Sequence, residues 1–415
     1  MSERSIFDSR QNFWQLASIS GLALGLPGMV VGGQLANQYG AGTALISVCI
    51  GNVLLWLIGY GIVSMTDGKN HAIENVKGYL GKSASVFTAL IWIIAFLIWY
   101  VLQIQGATEV IGKAIPGVQG WQIAAFLGVL TAGCSFWGIS LIKRVCIKAA
   151  PLLFLLAVYL VVNAPRTVVF TGTWGISFFA ILSVILIWLP GIVNLPTIFR
   201  HSKSKDDSVL GLCAMTGIHA FFQIFTILID IGSPVEILAN YAGGIFGLIS
   251  VVSFTFLSLL CVNLVNIYLA SAGWESIHIK FKHPKGYLVF GLCGTAAYFF
   301  HRLTTQFFFH MGTIETVLTS FIASLGVVLI IDFMIRIIVR HRPRPFEKMC
   351  SNFCWFSGCA ASLFAQVRSP AQLEISPQYT NEFLLIGILA SSLMFLFILF
   401  VEETVWAVKN LPQKA

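Results

Sequence analysis

The chain has 415 residues, of which 57% are hydrophobic and 10% charged, with a net charge of +8 and a mean hydropathy of +0.85. Soluble domains carry about a quarter charged residues, so this composition excludes a soluble globular protein. It predicts an integral membrane protein whose membrane region is nearly the whole chain.

Apolar stretches of about 20 residues, the length a helix needs to cross the hydrocarbon, recur with short polar breaks. They predict twelve spans, near residues 12–37, 42–65, 85–110, 120–141, 145–163, 174–199, 208–230, 241–271, 287–308, 313–338, 350–366 and 383–407. The first run is too long for the apolar core of a cleaved signal and is expected to stay in the mature protein. Charge tests the count independently, because Lys and Arg concentrate in cytoplasmic loops. With the N-terminus inside, alternate loops hold 21 of the 25 Lys and Arg, and the other side receives only Lys113, Arg166, Arg302 and Arg368. A missed span would scramble that segregation. The expectation is a multi-pass protein of the cell membrane with both termini cytoplasmic. The basic excess is then a topology signal, with lipid as its partner and no nucleic acid implied.

Six of the nine cysteines are scattered singly along or beside apolar runs and read as small buried hydrophobes. Cys350, Cys354 and Cys359 cluster in another apolar segment but have no histidine at ligand spacing, so no metal and no cofactor is expected.

The pentapeptides LPGMV at Leu26–Val30 and LPGIV at Leu189–Val193 place a helix-breaking Pro-Gly pair in spans one and six. Four complete spans separate those two, so the segments cross the membrane in opposite directions. Transporters built from inverted repeats place discontinuous helices at corresponding positions of their halves, where unwound backbone lines a substrate and ion site. The predicted fold is therefore all-α, with a five-plus-five inverted repeat, broken helices one and six, and spans eleven and twelve as two peripheral helices. Residues 1–165 would form the first repeat, 166–345 the second, and 346–415 the last two spans and the C-terminus.

Short matches in constant order then carry a family resemblance: VCIGNVLLWLIGY at Val48–Tyr60, Trp99-Tyr100 ahead of Gly112–Ala114, WGIS at Trp137–Ser140, and Pro151 in span five. Arg200 after span six, NIYLASAG at Asn266–Gly273 and GVVLIIDF at Gly326–Phe333 complete the set. The chain resembles the nucleobase-cation-symport-1 family, the purine-cytosine permeases, and most of all their cytosine permease branch. That resemblance implies the leucine-transporter type fold, with substrate held between spans one, three, six, eight and ten. It also implies that Trp99 stacks on a planar heterocycle, that Trp188 supplies the aromatic before the second unwound segment at Gly191, and that an ion sits on backbone near Gly25 and Gly28.

The residues themselves suit such a site. Two tryptophans on facing broken-bundle helices fit a flat ring, because offset stacking adds to area burial. Gln103 lies one helical turn after Trp99 on the same face, and its amide both donates and accepts. Asn263 and Asn266 share a face of span eight, and Gln34 follows the first Pro-Gly pair; each could equally serve as interhelical glue. The family's polar run in span eight is replaced here by Val262, Asn263, Leu264, Val265 and Asn266, keeping only the last Asn. Loss of a hydroxyl at Val262 argues against sodium, although Ser258, Ser253 or Thr255 could supply oxygen one or two turns earlier.

Proton coupling needs an ionisable group inside the bundle. Glu109, His219, Asp230 and Asp332 are the candidates, with Glu109 the deepest acid by position and the two aspartates near span ends, where they would face water or pair with Arg. The coupling ion is left open between Na+, H+ and none. The expected activity is secondary transport of a nucleobase or related planar heterocycle by alternating access. An amino-acid carrier on the same fold is the alternative. No constellation of Asp, Glu, His and Cys suggests an enzyme, and no ring of charge or repeated filter suggests a channel.

Overall fold

The computed structural model describes residues 10–65, 71–163, 174–228, 244–277, 285–304, 311–338, 347–368 and 377–409. Apart from one isolated bridge, all regular structure there is helical: α1 (Phe13–Tyr39), α2 (Ala41–Ser64), α3 (Ala72–Leu80), α4 (Lys82–Ala114), α5 (Gly120–Ser135), α6 (Gly138–Asn163), α7 (Phe178–Val193) and α8 (Leu195–Phe199). They continue with α9 (Lys205–Leu228), α10 (Gly244–Ile277), α11 (Lys285–Thr304), α12 (Met311–Ile338), α13 (Glu347–Val367) and α14 (Pro377–Lys409). In hydrocarbon a backbone must satisfy its own hydrogen bonds, so apolar runs of this length become helices. Seven of the described helices are individually long and apolar enough to cross a membrane, and the bent pair α7–α8 makes an eighth. With α1, α5, α11 and α13 they form the twelve spans.

Two boundaries differ from the sequence expectation. Spans four and five are separated only by Phe136 and Trp137, with Gly138 at φ +61° turning the chain directly into α6. The short helix α3 was not anticipated, because nine residues are too few for a span. Its Ala72, Ile73, Val76 and Leu80 nevertheless form one buried face, and Glu74 caps its start by accepting from the His71 N–H at 2.9 Å.

Contacts fix which helix ends lie together. The Gln11 N–H donates to the His201 carbonyl at 2.6 Å and the Lys203 N–H to the Gln11 carbonyl at 2.9 Å, joining the start of span one to the end of span six. Asn352 of α13 donates to the Leu80 carbonyl at 2.7 Å. Arg336 at the end of α12 pairs with Glu347 at 2.8 Å and lies 4.1 Å over the Tyr79 ring. These contacts gather one end of the bundle, the end rich in Lys and Arg. At the other end the Trp174 ring lies against Gly42 at the start of α2.

The pairing of helices follows a five-plus-five rule. Span one packs on span seven as span six packs on span two; span three meets eight, four meets nine and two meets seven; and span three touches ten as eight touches five. Advancing every span by five maps this set onto itself, as an inverted repeat requires. The last two spans pack on each other and on spans ten and six.

Glycine governs the tightest seam. A Cβ on Gly21 of α1 would lie 2.9 Å from Ile218 of α9, one on Gly28 would lie 3.2 Å from Gln223, and one on Gly32 would overlap the Gln223 carbonyl and the Thr226 hydroxyl. These small residues let two backbones approach closely, which is the main packing device within lipid. In the symmetry-related seam, a Cβ on Gly51 of α2 would lie 2.6 Å from Val184 of α7.

The two Pro-Gly segments behave differently. Helix α1 continues through Leu26, Pro27 and Gly28, so the expected unwinding of span one is replaced by a continuous helix held along α9. Neighbouring helices commonly sustain a proline within a membrane span in this way. Span six also stays helical through Pro190 and Gly191 but bends, its parts Phe178–Leu186 and Trp188–Phe199 meeting at 40°. Pro190 accounts for the place, because its ring clashes with the carbonyl four residues earlier, at Leu186.

Gly32→Val is expected to destabilise the protein by about 1–3 kcal/mol through overpacking, read as a lower melting temperature in detergent. Gly61→Ala, where nothing lies within 4 Å of the added Cβ, should leave it unchanged or slightly raised.

Candidate functional site

Helix α4 is 33 residues long, about 50 Å at 1.5 Å per residue, and carries Trp99 near its middle. The ring packs edge-on against Phe96, with centroids 5.2 Å apart, and is half-buried. Its indole N–H donates to Oε1 of Glu315 on α12 at 3.1 Å. Thr319, one turn along α12, donates its hydroxyl to the same oxygen at 2.8 Å. Span three is thus tied to span ten through a carboxylate deep in the protein that still keeps accessible surface. Gln103, one turn beyond Trp99, is also half-buried.

Glu315 escaped the sequence reading because it falls at the edge of the predicted tenth span, where an acid is ordinary. The usable signal was a carboxylate followed four residues later by a threonine inside an apolar helix, Glu315 and Thr319, a spacing that aligns both on one face. Glu109, expected to be the deepest acid, is instead exposed near the end of α4, accepting from Gln105 at 3.4 Å. Three turns separate it from Trp99, too far along the helix to share its surroundings. Asp332 is fully buried and accepts from Arg336 at 3.4 Å, as its pairing with Arg anticipated. Asp230 lies outside the described residues.

Trp188 sits at the bend of span six, 6% exposed, with its ring edge-on to the His219 imidazole of α9 at 4.6 Å. Among the described residues the two tryptophans make no ring contact with each other. His219 belongs to a buried polar cluster between spans one, two, six and seven. Asn52 of α2 donates to the carbonyl of Val48 at 2.8 Å and to Oε1 of Gln223 at 2.7 Å, which turns its own oxygen toward His219 Nδ1 at 2.6 Å. That amide orientation assigns the proton to Nδ1. His219 Nε2, Gln223 Nε2 and Trp188 Nε1 have no partner among the described residues. Gly28 lies on this cluster, its Cβ position 3.4 Å from His219 Nε2.

On α10, Asn266 donates to Asn263 at 3.5 Å and both are buried, so they share the face their spacing predicted. Ser258 is buried and donates to the Thr255 carbonyl at 2.8 Å, while the Thr255 hydroxyl has no partner among the described residues. Gly191 and Gln34 keep partial exposure, and Gly25 lies within the continuous α1. No group of three or more His, Cys, Asp and Glu among the described residues could hold a metal ion.

The basic end of span six is latched. Tyr268 of α10 donates to the Thr197 carbonyl at 3.2 Å, lies 2.8 Å from His201 Nε2 and accepts from Arg200 at 3.3 Å. Arg200 also reaches Nε2 of His71, the residue before α3, and the Ala72 N–H donates to Thr197 at 3.4 Å. Burial above all, then the neighbouring Arg200 and His201, push the His71 imidazole down to about 3 from its ordinary 6.5. It therefore accepts from Arg200 as a neutral ring.

No protein-family profile matches the sequence, and no curated protein matches it significantly. Solved structures do. A nucleobase-cation-symport-1 family transporter, Mhp1, in a closed conformation with bromovinylhydantoin bound, is 16% identical over 99% of this chain and 95% of its own, with a TM-score of 0.64. The inward-facing conformation of Mhp1 also gives 0.64, at 14% identity over the same shares of the two chains. A Na+-coupled sialic acid symporter in a substrate-bound outward-open state gives 0.65 at 12% identity, covering 95% of this chain and 91% of its own. A point mutant of the Eremococcus coleocola manganese transporter gives 0.57 at 9% identity, covering 96% and 94%. The fold is the leucine-transporter type.

The latch should respond to acid in one direction. A folded-state pKa held below the ordinary value contributes stability above about pH 6.5 that is lost as pH falls through the window toward about 3. Spin labels at Lys77 and Lys203 should therefore separate in a growing fraction of molecules as pH falls from about 6.5 toward about 3, and His71→Gln should flatten that response. An unchanged distance distribution in the unsubstituted protein would count against the latch.

Proposed function

We propose that this chain is a secondary active transporter of the nucleobase-cation-symport-1 kind, which carries a planar heterocycle through the cell membrane by alternating access coupled to a cation. The observation that carries the reading is Trp99: a half-buried indole at mid-helix, anchored by its N–H to Glu315, which fixes the ring while leaving surface for a flat ligand. The ordered sequence matches, the fold and the likeness to a transporter solved with a hydantoin support it. The repeats divide at 165 and 345, and both termini face the cytoplasm with the basic end of the bundle.

In this reading the substrate ring stacks on Trp99. Gln103, Gln34, Asn263 and Asn266 offer amides to its edge, since a buried polar edge must be matched to avoid a desolvation cost. Trp188 and Gly191 line the bend of span six. Backbone near Gly25 and Gly28 together with Ser258 is the place for a sodium ion, but Val262 supplies no hydroxyl and α1 is not unwound, so sodium coupling is weak. Opening toward the cytoplasm breaks the Tyr268–Arg200–His71 latch.

Uptake into liposomes of labelled cytosine, uracil, hypoxanthine, hydantoin and an aromatic amino acid, with and without a sodium gradient, tests the reading. At least one heterocycle should accumulate, with substrate affinity changing only slightly between sodium and choline buffers. Trp99→Ala should weaken binding at least about tenfold, the effect of roughly 1.4 kcal/mol of lost stacking and contact. Uptake confined to the amino acid, or full binding by Trp99→Ala, would overturn it.

A further inference from the structure

Glu315 poses a problem that the transport reading leaves unsolved. Both of its hydrogen bonds fall on Oε1, from the Trp99 indole and the Thr319 hydroxyl. An indole N–H can only donate, so Oε1 acts as an acceptor and any proton sits on Oε2. The elements packed against α12 carry their charged groups near their ends: Lys82, Glu109 and Lys113 on α4, Glu347 and Lys348 on α13, Glu382, Glu402, Glu403 and Lys409 on α14, Glu74 and Lys77 on α3, and none on α2 or α7. Among the described residues Trp99 and Thr319 are the groups that hydrogen-bond to the carboxyl group. Two neutral donors offset only part of the cost of an unpaired negative charge at this depth.

Three partners could relieve that charge: a metal cation, a cationic ligand or a proton. A sodium or divalent ion needs several further oxygens. Here the nearest groups are an indole, which has no acceptor, and one hydroxyl, which supplies a single oxygen. A proton needs only Oε2, and it converts that oxygen into a donor beside the face of Trp99.

We propose that Glu315 is the coupling group of this transporter, taking up a proton on Oε2 with the substrate on one side of the membrane and releasing it on the other, so that the symported cation is H+. In the protonated state Oε2–H donates to an acceptor atom on the heterocycle edge while Oε1 holds Trp99 in its stacking position. Release of substrate leaves the acid without that acceptor, and contact with water then favours loss of the proton. The proposal rests on the transport reading above and assigns its ion and its ion-carrying residue.

Two measurements test it. The first needs no substrate: infrared difference spectra of the purified protein across a pH titration should contain a protonated-carboxyl C=O band that vanishes in Glu315→Gln and shifts in Trp99→Phe. The second uses liposomes with the labelled heterocycle panel and an internal pH dye. The unsubstituted protein should accumulate a heterocycle with proton influx and without sodium, and its affinity should fall up to about tenfold per pH unit on the alkaline side, the limit for one linked proton. Glu315→Gln, which mimics the neutral acid, should still bind and exchange the same ring, independently of pH, and should lose gradient-driven accumulation. Accumulation by Glu315→Gln equal to that of the unsubstituted protein would overturn the proposal, as would absence of the titrating band. Loss of binding by Glu315→Gln at every pH would also overturn it, by assigning the carboxylate to a cationic ligand. Failure of the unsubstituted protein to take up any of the rings would instead strike the substrate reading, and the infrared titration would then decide the role of Glu315 alone.

Discussion

A carboxyl group inside a membrane protein must be neutralised by something, and at Glu315 that requirement organises the surrounding structure. The acid is reached by the Trp99 indole from span three and by Thr319 from its own helix. Span three is the long central strut of the bundle, packed against span eight, and span ten is the element on which the last two spans are assembled. A single hydrogen bond therefore joins the Trp99 indole to the one acid, among the described residues, that lies deep in the protein without a cation beside it. Any change in the charge of Glu315 must alter how firmly Trp99 is held, because acceptor strength differs between a carboxylate and a neutral acid.

The rest of the fold supplies a fixed part and a bending part. Span one is locked along span seven at Gly21, Gly28 and Gly32, where a Cβ would be crowded and at Gly32 would overlap the Gln223 carbonyl, and the buried His219–Asn52–Gln223 cluster sits beneath that seam. Span six bends at the carbonyl that Pro190 obstructs, and its far end is tied down by Tyr268, Arg200 and His71. The proposed transport requires two discrete packings about the substrate. The proline bend and the polar latch are the places where this chain can yield without opening a glycine seam.

Much of this was legible in the sequence. Twelve spans followed from apolar length and from the asymmetry of Lys and Arg, because those are properties of the bilayer and need no knowledge of packing. The inverted repeat was readable from the paired Pro-Gly segments. The difference between them was not: whether a proline bends a helix depends on what lies beside it, and Gly28 against His219 and Gln223 is a tertiary fact. Glu109 was overrated and Glu315 missed for a related reason. Position within a span gives depth along the helix but not which face is turned inward, and Glu109 faces out. The helix α3 was hidden by its short length, although its capping acid and its buried periodicity were present in the sequence.

The most direct test of the account is a double-mutant cycle on the hydrogen bond itself. Trp99→Phe keeps an aromatic face and removes the N–H; Glu315→Met keeps a side chain of similar length and removes the acceptor. The affinity of a radiolabelled heterocycle would be measured for the unsubstituted protein, both single variants and the double variant, in detergent at one pH. If the indole–carboxyl contact positions the ring, the effects should be non-additive, with a coupling of about 1 kcal/mol or more. Effects that sum to within about 0.5 kcal/mol would mean that Trp99 and Glu315 act independently, and would contradict the central role given to their contact.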